Sequence, residues 1–90
     1  MIIKKHLVIS GKVQGVGFRY WMQNLAINNN ISGWVNNRSS GGVVALIIGQ
    51  DKEVQKLIKQ CKIGPSSATI QNIRINDYNQ HYSEKGFNIF

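Results

Sequence analysis

Between Gly11 and Arg19 the chain reads Gly-Lys-Val-Gln-Gly-Val-Gly-Phe-Arg, with three glycines in its first seven positions and an arginine at its end. A Gly-rich turn that leaves a strand and opens a helix points successive backbone N–H groups into one concavity. Such a concavity takes an anion, helped by the partial positive charge of the helix N-terminus. Gly15 and Gly17 can adopt backbone angles closed to other residues and allow close approach of a ligand. Arg19 falls where the helix would begin, so its guanidinium fork can grip the same anion in bidentate fashion. The Walker pattern does not fit, because no Gly-Lys-Ser/Thr follows. A dinucleotide fingerprint fails on glycine spacing, and no second phosphate site is evident.

The loop needs a strand before it and a helix after it, and the hydrophobic pattern supplies both. Leu7, Ile9, Gly11 and Val13 alternate with Val8, Ser10 and Lys12, so residues 3–12 read as a strand. Phe18, Met22, Leu25 and Ala26 fall at helical spacing, and the helix ends in Asn28-Asn29-Asn30, where an Asn can take a left-handed cap. Ile31 to Arg38 reads as a second strand, and Ser39-Ser40-Gly41-Gly42 as a hairpin turn. Val43 to Gly49, the most apolar stretch, is expected to be a central strand. Asp51 is expected to cap a second helix with Val54, Leu57, Ile58 and Cys61 on its apolar stripe, stopped by Gly64-Pro65. Residues 69–78 read as a fourth strand and Gly86 to Phe90 as a short fifth. The order β-α-β-β-α-β plus a terminal strand predicts an α+β, ferredoxin-like split β-α-β sandwich: an antiparallel sheet with two helices on one face.

Ninety residues allow one domain, 1–90, with no repeat or linker. The single cysteine, Cys61, excludes an intramolecular disulfide and a four-thiolate zinc site, which suits a reducing cytosol. The apolar run near the N-terminus, Leu7-Val8-Ile9, is too short for a signal peptide or a membrane span. The expectation is a cytoplasmic monomer with no membrane partner. A balance of 11 Lys plus Arg against 4 Asp plus Glu, net +7, attracts anions of any kind. The basic residues are scattered, so the charge reads equally as a solvated surface that keeps the protein soluble.

The segment Gly11 to Arg19 resembles the phosphate-cradle motif of the acylphosphatase family, Gly-x-Val-Gln-Gly-Val-x-Phe-Arg. The family's second motif is present at the right separation: Gly33-Trp34-Val35-Asn36-Asn37, three residues, Gly41-Gly42-Val43, five residues and Gly49. The resemblance spans the whole chain. It departs at Asn36, where the family usually carries Lys, Arg or another larger residue. It implies hydrolysis of small-molecule acyl phosphates to carboxylate and inorganic phosphate, with no metal and no cofactor. It also implies the roles. Arg19 binds the substrate phosphate, and the backbone N–H groups of Gln14, Gly15, Val16, Gly17, Phe18 and Arg19 form the cradle. Asn37 orients the attacking water through its side-chain carbonyl.

The chemistry is consistent with so small a set, because phosphoryl transfer asks a protein mainly for positioning and charge stabilisation. A carboxylate leaving group is already a weak base and needs no general acid. Asn37 cannot take a proton, so a phosphate oxygen of the substrate is the hypothetical acceptor. The acidic residues, Asp51, Glu53, Asp77 and Glu84, lie outside both motifs.

Other residues read as structural. Lys12 is expected to be solvated, His6 and His81 structural or exposed, and Cys61 part of the core. Tyr20, Trp21 and Trp34 are expected to be packing residues. An RNA-binding module shares the element order, but its aromatic signature belongs on the third strand, where this chain has Val43-Val44-Ala45-Leu46-Ile47-Ile48. No nucleic-acid partner is expected. Acylphosphatase-like domains also open larger carbamoyl-transferring proteins. The chain ends at Phe90 with no zinc-ligand cysteines following, and a free-standing enzyme is the simpler expectation.

Overall fold

The alternation that marks the first strand is an alternation of faces. Leu7 and Ile9 are fully buried, while Val8 and Ser10 point to the other side of the sheet. A computed structural model describes all residues 1–90. Its elements are β1 (Ile2–Lys12), α1 (Phe18–Asn28), β2 (Ser32–Asn37), β3 (Val43–Gln50), α2 (Asp51–Ile63), β4 (Thr69–Asp77) and β5 (Phe87–Ile89). The strands lie in the order β4-β1-β3-β2-β5, with β3 at the centre as its apolar sequence demands. The ferredoxin-like expectation holds, with one correction to the sheet. The first four strands pair antiparallel, but β5 joins β2 in parallel, Gly33 opposite Phe87 and Val35 opposite Ile89, so the sheet is mixed.

Both helices pack on the same face and close one core. Phe18, Met22 and Ala26 of α1 meet Val54, Leu57, Ile58 and Cys61 of α2 over Leu7, Ile9, Val35, Val43, Ala45 and Ile47. Burial of each large apolar side chain contributes roughly 1.5–3 kcal/mol, so this cluster is the main stabilising term. Cys61 belongs to it, as its place on the helical stripe requires. Trp21 packs beside it, its ring 5.2 Å from Phe18. Tyr20 does not: it is 65% exposed, because helical geometry turns it away from its buried neighbours Phe18 and Met22.

The helix ends follow from local chemistry. Asn30 has φ 57° and closes α1 with a Schellman pair, Ile31 N–H to Ala26 O at 2.8 Å and Asn30 N–H to Ile27 O at 3.2 Å. Gly64 terminates α2. Asp51 is not the cap: Gln50 holds that position without a side-chain bond, and Asp51 begins the first turn with Glu53 nearby. There both carboxylates face the positive end of the helix dipole.

The face without helices is not bare. Leu46 lies on it, opposite His6 of β1 and Trp34 of β2, and is fully buried. The His6 and Trp34 rings approach to 6.1 Å between centroids across that row, and Phe90 stands 6.3 Å from Trp34. These aromatics cover an apolar strand that the helices cannot reach.

Candidate active site

The end of β1 and the start of α1 are joined by Val13-Gln14-Gly15-Val16-Gly17, anchored by buried Val13 and Phe18. Gly15 and Gly17 take φ 74° and 77°, the left-handed conformation, on either side of Val16. Left-handed residues spaced this way turn successive N–H groups toward one side. The backbone N–H groups of Gln14, Gly15, Val16 and Gly17 donate to no protein acceptor. Gly17 is also the N-cap of α1, no side chain caps that end and its first turn carries no acidic residue. The first-turn amides of Phe18 and Arg19 therefore join a row of free donors. A Cβ at either glycine would meet nothing within 4 Å, so the cradle is open to solvent. The larger concavities of the surface lie elsewhere.

Two contacts bring the rest of the site to this loop. The Gln14 side-chain amide donates to Arg38 O at 2.7 Å and to Gly42 O at 2.9 Å. It thereby ties the cradle to the β2–β3 turn, which begins one residue after Asn37. That turn is itself closed by Arg38 N–H to Gly42 O at 3.0 Å and Gly41 N–H to Arg38 O at 3.1 Å. Arg19, half-buried, donates through Nη1 to Phe90 O at 3.3 Å, and Phe90 N–H donates to Val35 O at 3.0 Å. Arg19 is thus linked to the strand that carries Asn37, two residues before it.

Asn37 shares a face with buried Val35, on the helix side of the sheet. Its Oδ1 is buried and has no hydrogen-bond partner in the protein. A buried amide oxygen left unpaired costs about 1–3 kcal/mol. Gln60 Oε1 and the Tyr82 hydroxyl are unpaired in the same way, so what sets Asn37 apart is its place at the strand end that Gln14 ties to the loop.

The residues singled out from sequence thus converge on one end of the sandwich: Gln14, Gly15, Val16, Gly17, Phe18 and Arg19 in one segment, Asn37 beside it. Sequence reasoning gave Gln14 only a backbone role, whereas its side chain holds two distant carbonyls. Nothing in the local pattern marks that contact, because its acceptors are backbone groups 24 and 28 residues away. Lys12 and His81 are exposed, and His6 packs edge-on against Trp34. No three His, Cys, Asp or Glu side chains gather anywhere in the chain.

Fold and loop together define a class: a ferredoxin-like α+β sandwich whose first strand–helix junction presents a ring of free backbone donors. Relatives narrow it. The family model described as acylphosphatase matches residues 5–89. An acylphosphatase of Acidiphilium cryptum (strain JF-5) is 41% identical over 86 residues, 96% of this chain and 93% of its own. The crystal structure of acylphosphatase from Bacillus subtilis matches with a TM-score of 0.92 at 30% identity, over 100% of this chain and 99% of that one. Full-length HypF, in its phosphate- and nucleotide-bound form, matches all of this chain with 12% of its own length, at a TM-score of 0.87 and 30% identity. The chain belongs to the acylphosphatase family and is, like the relatives from Acidiphilium cryptum and Bacillus subtilis, an acylphosphatase.

Proposed function

We propose that residues 1–90 act as one metal-independent domain that hydrolyses the carboxyl–phosphate bond of small acyl phosphates, using Arg19, the 14–19 amides and a water held by Asn37. The observation that carries this reading is the row of free N–H donors at residues 14–17, tied through the Gln14 side chain to the strand end that bears Asn37. The amides and the Arg19 guanidinium hold the phosphoryl oxygens and offset their negative charge. One hydrogen of the water donates to Asn37 Oδ1, which aims the oxygen lone pair at phosphorus. The new P–O bond forms as the bond to the carboxylate oxygen breaks, and the bonding pair leaves with the carboxylate. The water's proton passes to a phosphoryl oxygen. No side-chain acid or base is needed, since a carboxylate leaves without protonation.

Hydrolysis of benzoyl phosphate in the presence of a metal chelator, with a phosphate monoester as control, tests the reading. Rapid loss of benzoyl phosphate with the monoester intact supports it. Loss of activity on chelation contradicts metal independence.

The small share of HypF that this fold occupies favours one alternative, a phosphate-binding accessory domain without turnover. Folded protein that binds phosphate but leaves benzoyl phosphate intact would establish it. An RNA-binding module has less support: on the helix-free face β3 carries Val44, Leu46 and Ile48 where stacking aromatics would be required, and Leu46 is buried there. A lone buried thiol, Cys61, fits a reducing compartment, so we place the enzyme in the cytoplasm, as a monomer. No helix is long and apolar enough to cross a membrane.

A further inference from the structure

A second polar concavity lies on the face of the sheet that the helices leave open. Across the β1–β4 ladder Val8 pairs with Arg74 and Ser10 with Asn72, and these four side chains line one wall. Arg38 enters from the opposite side, from the residue after β2. Gly42 explains how it reaches so far. The 38–42 turn lies so close to β1 that a Cβ at Gly42 would stand 2.5 Å from Ile9 O, so the turn delivers Arg38 beside Ser10. The β1–β4 register shifts between Ser10 and Gly11, a bulge of the kind that re-aims neighbouring side chains.

These five residues line a solvent-open concavity of about 140 Å³. Four of them carry hydrogen-bond donors and none a carboxylate. The two guanidinium groups make no hydrogen bond to the protein, and the chain's one ion pair, Lys5 with Asp77, lies elsewhere. Arg38 and Arg74 are exposed, so solvent screens their mutual repulsion to a modest term, and an anion bridging them reverses its sign. Two guanidinium forks, a hydroxyl and a carboxamide supply more donors than the two oxygens of a carboxylate can use. They suit a tetrahedral oxyanion.

We propose that Ser10, Arg38, Asn72 and Arg74 form a second oxyanion site, for a free phosphate-type dianion, on the opposite face of the sheet from the 14–19 cradle. The site stands independently of the proposed reaction.

Titration of the full chain with inorganic phosphate, followed residue by residue by NMR, tests it. The expected result is two separable sets of shifts. One is at Gly15 to Arg19, and the other is at Ser10 and Asn72 with the Arg38 and Arg74 side chains. Arg74→Gln, on an exposed edge strand, should weaken binding at the second set about tenfold or more. It should leave the first set and benzoyl phosphate turnover unchanged. Arg19→Ala should do the reverse, keeping the second set. Absence of second-set shifts at phosphate concentrations that saturate the cradle would overturn the proposal, as would an Arg74→Gln protein with unaltered second-set shifts. A single-stranded RNA oligonucleotide that moves the open face where phosphate does not would also overturn it, assigning the arginines to a nucleic-acid surface.

Discussion

The side-chain amide of Gln14 donates to the backbone oxygen of Arg38 at 2.7 Å, so the anion-binding loop and the strand end bearing Asn37 are held to each other by one side chain. A second bond from the same amide reaches Gly42 O at 2.9 Å. Gln14→Ala removes both. At 0.5–1.5 kcal/mol for each bond, the expected loss of stability is about 1–3 kcal/mol, measured by urea denaturation. Turnover should fall more than phosphate affinity, because the cradle survives while its distance from Asn37 is no longer set. Equal losses in kcat and in phosphate affinity would show that Gln14 serves the cradle alone.

Arg19 combines a helix N-terminal position with a tie to Phe90 O. Its planar fork can present two parallel donors to a phosphoryl group, which an ammonium cannot imitate. Arg19→Lys keeps the charge and should still weaken competitive inhibition by phosphate by tenfold or more, on the order of 1.4 kcal/mol. Unchanged inhibition would remove Arg19 from the phosphate site.

Burial pushes the Cys61 thiol up from its ordinary value of 9.0 to about 12. The folded protein therefore keeps this proton where the unfolded chain has lost it. The stabilisation is complete below about pH 9 and is lost as pH rises toward 12, with a slope of at most about 1.4 kcal/mol per pH unit. The stability gap between the parent and Cys61→Val should shift against the parent across that window, measured by denaturant unfolding at several pH values. The native thiol should also resist a disulfide reagent that titrates it at once in guanidinium. A constant gap and a reactive native thiol would contradict its burial.

Much of this architecture is written in local pattern. Leu7 and Ile9 declare the inward face of β1, Val54, Leu57, Ile58 and Cys61 declare the stripe of α2, and the glycines at 15 and 17 mark a loop only they can form. Contacts between distant segments left no such trace. The parallel pairing of β5 with β2 depends on where residues 78–86 lead the chain, which periodicity does not encode. Burial of Leu46 arises from His6 and Trp34 on neighbouring strands. The Gln14 clamp uses backbone acceptors, which carry no residue signature. Asp51 carried a correct signal for a helix start, but its carboxylate serves the first turn instead of the cap.

The role of Asn37 is the centre of the account, and Asn37→Ala assayed on benzoyl phosphate tests it most directly. Turnover should fall by roughly 10²–10³, the scale for losing a positioned polar group, with the fold and phosphate inhibition retained. A folded Asn37→Ala protein that turns over at the parent's rate would contradict it.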